Sequence, residues 1–160
     1  MHDRREFMRV ALSAAISAVV FPRELLGSVI QQPTNTKRRI TVYKSPDCEC
    51  CKKWVELVKE TGWIVDVKDV DDVDRIKNRL RVPKALRSCH TAIVGRYTFE
   101  GHVPIDLVQA VMTRPRPFQG LAVPGMPVGS PGMEVPGQRG EHYQVLGFYR
   151  DGRTFVFSQR

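Results

Sequence analysis

The sequence predicts a mixed α/β domain in which helices cover one mixed sheet and a β-hairpin extends its carboxyl-terminal end. Strand-like and helix-like segments follow one another in the order β-α-β-α-β-β-α, which suits a single mixed sheet with helices packed on it. The chain has 160 residues, 42% of them hydrophobic, which is enough for one ordinary core. An Asp-Gly pair between two strand-like runs near the end is a strong hairpin signal.

The seven elements of this order are predicted from hydrophobic periodicity and from the residues at their ends. Asp71 or Asp72 caps the second helix, because a side-chain oxygen at this position accepts a backbone N–H. Pro83 ends that helix, and Pro104 lies in the first turn of the third. The strands are predicted at residues 39–44, 64–70, 91–95 and 97–101, and the helices at 50–61, 72–81 and 104–113.

Two further segments complete the predicted domain. Residues 120–140 are rich in Gly and Pro and have no apolar periodicity, so we expect a long loop. Loops of this length are usually functional or disordered. Asp151-Gly152 separates the strand-like runs 143–149 and 154–158, which predicts a hairpin. The aromatic residues expected to pack it against the domain are Phe148, Phe155 or Phe157.

The amino terminus has the character of an export leader. A basic segment precedes an apolar run at residues 10–21, which is too short to span a bilayer comfortably. Arg4 and Arg5, followed by Phe7, resemble the twin-arginine export signal of bacteria, although Asp3 replaces its usual Ser or Thr. An uncleaved signal anchor or a short amphipathic helix is the alternative. The predicted organisation is an export signal over residues 1–30, a polar linker over 31–37 and the domain over 38–160, with no stable membrane span once the leader is removed.

The net charge of +8 comes from 25 Lys and Arg against 17 Asp and Glu. Basic residues are scattered among acidic ones, as in residues 68–75, and no basic run alternates with aromatic residues. A solvated surface explains this charge better than a nucleic-acid partner, so nucleic-acid binding is not expected.

Three of the four cysteines, Cys48, Cys50 and Cys51, lie where the first strand passes into the first helix. Helix N–H groups and the helix dipole, together with Lys52 and Lys53, favour the thiolate form, which attacks disulfides and binds soft metals. Cys48 and Cys51 form a C-x-x-C pair of the redox type, whereas Cys50 adds a sulfur that a dithiol enzyme does not need. The third thiol favours metal binding. Cysteines packed as small apolar residues, or a purely structural disulfide, are the alternatives.

Four segments of the chain together resemble one protein family. They are residues 43–54 with the three clustered cysteines, residues 82–91 with Cys89, residues 100–104 with His102, and residues 120–134 with Met126 and Met133. The chain is similar to the thioredoxin-like fold and, more closely, to the CopG-like family, catalogued as domain of unknown function 411 and associated with bacterial copper resistance. The resemblance implies a periplasmic or cell-envelope protein that binds copper through these cysteines.

The resemblance also places the fourth cysteine. In a thioredoxin-like sheet, the loop entering the third strand faces the amino terminus of the first helix. Cys89 stands immediately before that strand, so its sulfur is expected to meet the other three. Thioredoxins carry a cis-proline at this loop, and Ser88-Cys89-His90 replaces it here, which favours metal over general disulfide exchange. Thiolates are soft ligands that prefer Cu(I), zinc or clusters.

Zinc is the alternative metal, because four-cysteine sites are common structural zinc sites. Such sites usually separate two C-x-x-C pairs. Cys50 and Cys51 are adjacent, so their side chains diverge along the backbone. This arrangement fits a bridged thiolate cluster of several copper ions better than one tetrahedral zinc ion.

Four further side chains are candidate donors beside the cysteines. His90 is either a ligand or an ordinary hydrogen-bonding residue, and His102 is either a ligand or a partner of Asp106. Met126 and Met133 offer thioether sulfurs that suit Cu(I), or else they fill gaps over the sheet.

Two functions follow from these observations. The first is an exported protein that holds Cu(I) through Cys48, Cys50, Cys51 and Cys89 in copper resistance or homeostasis. Such a protein could also have copper redox activity, and other periplasmic copper-handling proteins could be its partners. The alternative is a thiol-disulfide oxidoreductase with Cys48 as nucleophile and Cys51 as resolving thiol. The third and fourth cysteines separate the two, because a dithiol enzyme has no use for them.

Overall fold

One mixed sheet of seven strands organises residues 38–160, the part of the chain that the computed structural model describes. The strands are β1 (Arg39–Lys44), β2 (Ile64–Asp69), β3 (His90–Val94), β4 (Tyr97–Gly101), β5 (Gly120–Val123), β6 (Gln144–Phe148) and β7 (Thr154–Gln159). The helices are α1 (Glu49–Glu60), α2 (Val73–Arg79) and α3 (Ile105–Thr113), with a 3₁₀ turn at Lys84–Leu86. The leader and linker predicted over residues 1–37 lie outside the described residues.

The strand order is β2-β1-β3-β4-β5-β6-β7. β1 pairs in parallel with β2, and β3 lies antiparallel between β1 and β4. β4 and β5 are parallel, whereas β6 lies antiparallel between β5 and β7. The predicted α/β class, the mixed sheet and the carboxyl-terminal hairpin are therefore confirmed, while the closer likeness to thioredoxin stays a prediction.

The prediction of a loop over all of residues 120–140 is wrong at its beginning, where β5 forms. All four residues of β5 are buried, so no alternation of polar and apolar side chains marks the strand. Gly120 lies directly against the backbone of Thr98 and the ring of Phe148, where a Cβ would not fit. The second helix is also shorter than predicted and ends at Arg79.

The core lies between the sheet and the buried faces of α1 and α3. The indole N–H of Trp54, a fully buried residue of α1, donates to the carbonyl of Val103 at 3.0 Å and joins the helix to the segment after β4. The hairpin packs against the domain as predicted: Phe155 and Phe157 lie against this core, and Phe148 is fully buried in a second apolar cluster with Val82, Leu86 and Ala122. The main apolar side chains of this core are Ile40, Val42, Trp54, Val55, Val58, Phe99, Val108, Val111, Leu121 and Val145.

Two remaining observations concern the amino-terminal end of α2 and the hydropathy of the helices. Asp72 is the residue that caps α2, and its carboxylate accepts the Arg75 N–H at 3.0 Å. Across residues 38–160, no helix combines the length and the hydropathy that crossing a bilayer requires.

Candidate metal centre

The four cysteine sulfurs meet where β1 passes into α1. Cys48 is the amino-terminal cap of α1, and Cys50 and Cys51 lie in its first turn. Cys89 immediately precedes β3, whose first residue, His90, pairs with the last residue of β1. This antiparallel register brings Cys89 to the start of α1. The four Sγ atoms lie within 4.8 Å of one another.

The four sulfurs are not in one oxidation state. Cys48 and Cys51 form a disulfide, with Cα atoms 5.3 Å apart, and among residues 38–160 Cys50 and Cys89 are the free cysteines. Cys50 Sγ lies 3.6 Å from Cys48 Sγ and 3.9 Å from Cys89 Sγ. Cys51 is fully buried and bonded to Cys48, while the sulfur of half-buried Cys50 approaches both Cys48 and Cys89. A site with four thiolates therefore requires two-electron reduction of the Cys48–Cys51 disulfide.

Cys89 belongs to a second cluster as well, formed with His90 and His102. Its sulfur lies 3.0 Å from His102 Nε2 and 3.3 Å from His90 Nδ1. Burial raises the pKa of the Cys89 thiol to about 12, and the neighbouring Cys50 sulfur adds to the rise. The thiolate preference predicted at the helix terminus thus does not extend to Cys89, where lost hydration outweighs any nearby positive potential.

His102 is held in one orientation by the loop that follows β5. Its Nδ1–H donates to the carbonyl oxygen of Pro131 at 2.7 Å, which leaves the Nε2 lone pair facing Cys89 Sγ. Burial lowers the pKa of His102, so the ring is neutral. The alternative partner, Asp106, instead accepts from Arg160 at 2.5 Å. In histidines that bind metals, the ring nitrogen that does not bind the metal typically donates its N–H to an oxygen such as a backbone carbonyl.

His90 is fully buried between two rings. Its centroid lies 4.7 Å from that of Trp54 and 5.1 Å from that of His102. Among the described residues, nothing hydrogen-bonds to its Nε2. Burial, with contributions from His102 and Lys77, lowers the pKa of His90 well below its ordinary value. The ring is therefore a neutral imidazole with one unused nitrogen.

The loop after β5 lies against the first turn of α1. A Cβ on Gly132, whose φ is +84°, would lie 2.9 Å from the backbone nitrogen of Trp54 and 3.1 Å from the carbonyl oxygen of Cys50. Met133 follows Gly132 in this packed stretch and is half-buried, whereas Met126 is 40% exposed. A donor role for either methionine stays a prediction.

A buried ion pair beside Cys89 was missed by sequence reasoning. Lys77 Nζ lies 2.5 Å from Glu100 Oε1, and the two side chains are only 4% and 0% exposed. Burial raises the pKa of Glu100, while its hydrogen-bond donors oppose the rise. Charged residues are expected at the surface, so neither was a candidate. One signal of its burial was available in the helical spacing. Val73, Ile76 and Lys77 stand at positions i, i+3 and i+4 of α2, so Lys77 lies on the same helix face as the two apolar residues.

The donor set fits a soft metal ion. Four sulfurs and two neutral imidazoles lie close together, and among residues 38–160 no carboxylate belongs to either cluster. Hard cations prefer oxygen ligands, whereas copper and zinc accept thiolate and imidazole. The fold and the site together define a mixed α/β protein with a cysteine–histidine centre suited to metal binding.

Comparison with known proteins gives the family. The model of a family described as "Protein of unknown function, DUF411" matches residues 86–133. Two solved structures, titled "Copper resistance protein copG- Form 2" and "Copper resistance protein copG- Form 1", are 39% identical to this chain, each with a TM-score of 0.72. The matches cover 77% and 78% of this chain and 98% of each of those chains. No curated protein matches the sequence. The chain belongs to the CopG-like family of unknown function 411, as its motifs predicted.

Proposed function

We propose that this chain is an exported copper-binding protein that holds Cu(I) through Cys48, Cys50, Cys51 and Cys89 after the Cys48–Cys51 disulfide is reduced. The observation that carries the proposal is the convergence, within 4.8 Å, of four sulfurs from two separate segments of the chain. The titles of the two similar structures, which name copper resistance, support the choice of metal.

The two histidines and the methionines extend the donor set. His102 presents an unprotonated Nε2 toward Cys89, and His90 has a buried Nε2 that is unpaired among the described residues. Met133 and Met126 would add thioether donors from the loop that lies on α1. Copper, when bound, would supply a one-electron redox couple, and the residues would provide soft donors shielded from water.

Copper is favoured over zinc by the arrangement of the sulfurs. Cys50 Sγ lies near the sulfurs of both Cys48 and Cys89, so it contacts sulfurs from both segments of the chain. A central sulfur of this kind suits thiolates that bridge several ions, whereas a structural zinc ion usually sits between two C-x-x-C pairs. Zinc remains the competing metal in the experiment below.

Export would bring this centre into an oxidising compartment. The leader proposed for residues 1–30 would direct the protein to the periplasm or cell envelope, where free thiols tend to form disulfides. The oxidised Cys48–Cys51 pair would then take up two electrons and two protons from a reductant before all four thiols could bind copper. A periplasmic reductant or copper-handling protein is the partner implied by this step.

One observation favours the second candidate function, a thiol-disulfide oxidoreductase. Cys48 is half-buried at the helix amino terminus, whereas its disulfide partner Cys51 is fully buried. An accessible sulfur joined to a buried one is the arrangement that a nucleophile and a resolving thiol require. Cys50 and Cys89 would then be dispensable.

Thiol counting with metal competition tests the proposal. Oxidised protein should contain two titratable thiols when denatured and four after reduction. Cu(I), titrated anaerobically into the reduced protein against a competing chelator, should protect all four thiols from a modifying reagent. Protection by zinc but not by Cu(I) would overturn the metal assignment. Protection of none, with glutathione exchange unaffected by C50S or C89S, would favour the oxidoreductase.

A further inference from the structure

A buried carboxylate grips the chain on both sides of Cys89 and His90. Glu100 Oε1 accepts the backbone N–H of Ser88 at 2.7 Å, and Glu100 Oε2 accepts the hydroxyl of Thr91 at 2.6 Å. The two bonds bracket the pair Cys89-His90. We call Glu100, Lys77, Thr91 and the Ser88 N–H the carboxylate clamp.

Lys77 holds the carboxylate of the clamp in place from α2. Its Nζ donates to Glu100 Oε1 at 2.5 Å and to Thr91 Oγ1 at 3.0 Å. Lys77 and Thr91 are 3% and 0% exposed, so water does not compete for these bonds. The two side-chain partners of the carboxylate are therefore buried, and its third partner in the described part of the chain is the backbone N–H of half-buried Ser88.

The same end of β4 also reaches the sulfur of Cys89. Gly101 follows Glu100 and lies so close to Ser88 that an added Cβ would be 2.5 Å from Ser88 Oγ. His102 comes next, with Nε2 3.0 Å from Cys89 Sγ. Glu100 thus fixes the backbone beside Cys89, and His102, two residues later, contacts the sulfur. One strand end sets both the position of this cysteine and its nearest imidazole.

Stability alone does not account for the clamp. A buried ion pair loses the hydration of both charges, and well-packed apolar residues of similar volume are often as stable or more so. Apolar side chains, however, cannot accept hydrogen bonds from Ser88 and Thr91. The geometry points to positioning as the role of the pair.

We propose that Glu100, supported by Lys77, is a positioning residue that places Cys89 within reach of Cys50 before any metal binds. A preformed site spares the metal the cost of ordering its last ligand. The inference rests on the proposed copper site where copper is used as the probe, so a metal-free measurement is made first.

The metal-free measurement uses the C48S/C51S background, which leaves Cys50 and Cys89, whose sulfurs lie 3.9 Å apart. In glutathione buffer, the two thiols reduce one glutathione disulfide to two glutathione molecules and form one intrachain disulfide. The equilibrium gives the effective concentration of one thiol at the other.

Two double variants separate the hydrogen bonds from the charges. K77M/E100L removes both, whereas K77M/E100Q removes the charges but keeps an oxygen that accepts from Ser88. We expect the effective concentration to fall by about tenfold or more in K77M/E100L and to stay within about threefold of the parent in K77M/E100Q, in line with the usual effect of groups that orient metal ligands. T91V and T91S form a milder pair. T91V removes the hydroxyl that Glu100 accepts from and should lower the effective concentration, whereas T91S keeps this hydroxyl and should retain the parent value.

Copper is the second probe, with all four cysteines restored. Cu(I) affinity, measured against a competing chelator, should fall by about 10- to 100-fold in K77M/E100L and much less in K77M/E100Q. V145A is the matched control: Val145 is fully buried in β6, two strands from β4, so it should lower stability without changing either readout.

The outcomes are distinct. Equal values in K77M/E100L and K77M/E100Q, or in T91V and T91S, overturn the clamp, and so does a parent that forms no Cys50–Cys89 disulfide. If K77M/E100L does not fold, the Thr91 pair decides the question. Failure of wild-type protein to bind Cu(I) contradicts the proposed function but leaves the glutathione result standing.

Discussion

Gly101 offers a direct test of how closely β4 approaches the cysteine-bearing loop. Its φ of +71° lies in the left-handed region, and a Cβ there would be 2.5 Å from Ser88 Oγ, 2.6 Å from Ser88 Cβ and 2.7 Å from the Val123 carbonyl oxygen. Replacement by alanine therefore introduces both backbone strain and overlap with two neighbouring segments. Rotation of the Ser88 side chain could move its Oγ, but the Ser88 Cβ and the Val123 carbonyl oxygen are fixed by the backbone, so the overlap cannot be relieved cheaply.

The expected cost follows from these two effects. A left-handed conformation costs a residue with a Cβ about 1–2 kcal/mol, and overpacking a filled interior costs about 1–3 kcal/mol. G101A should thus lower the free energy of unfolding by about 2–5 kcal/mol. Gly62 supplies the matched control, because its φ is +82° but nothing lies within 4 Å of an added Cβ. G62A should lose only the first part, about 1–2 kcal/mol.

Urea unfolding of the oxidised protein, followed by circular dichroism, measures both variants against the parent. G101A should lose clearly more free energy of unfolding than G62A, with similar dependence on urea concentration. Equal losses would mean that the backbone at Gly101 does not press on Ser88 and Val123. The described geometry of the Cys89 loop would then be incorrect.

Three further changes test other parts of the molecule. Deleting residues 141–160 should lower the melting temperature by exposing apolar core surface, and an unchanged value would make the hairpin an appendage. Asp72→Ala removes the cap of α2 and should cost about 1 kcal/mol in urea unfolding, whereas Asp71→Ala should cost almost nothing; equal effects would contradict the cap. Replacing Arg4 and Arg5 together with Lys should leave the protein in the cytoplasm, and normal periplasmic arrival on fractionation would rule out the twin-arginine route.

The sequence was most informative where local chemistry and topology agree. Short-range patterns predict both the junction between β1 and α1 at Cys48–Cys51 and the start of β3 after Cys89. Once β3 pairs with β1, the four sulfurs must come close together. The hairpin was likewise readable, because Asp151-Gly152 favours one tight turn.

Other features depend on contacts between distant segments and leave little trace in the sequence. β5 has four buried residues and therefore shows no alternation. Lys77 and Glu100 look like surface residues until α2 and β4 enclose them. The Cys48–Cys51 disulfide is one of the alternatives that the sequence leaves open, since C-x-x-C spacing suits both a disulfide and a pair of metal ligands. The raised pKa of Cys89 follows from its burial, which the sequence does not specify.

The central claim is that Cys89, 38 residues after Cys51 in sequence, belongs to the same copper site. The most direct measurement is the Cu(I) content and affinity of reduced C89S, compared anaerobically with wild type and with H142A, whose exposed histidine lies outside both clusters. C89S should lose much of the bound copper, and H142A should lose none. Full copper binding by C89S, together with loss of disulfide exchange in C48S, would contradict the account and identify an oxidoreductase.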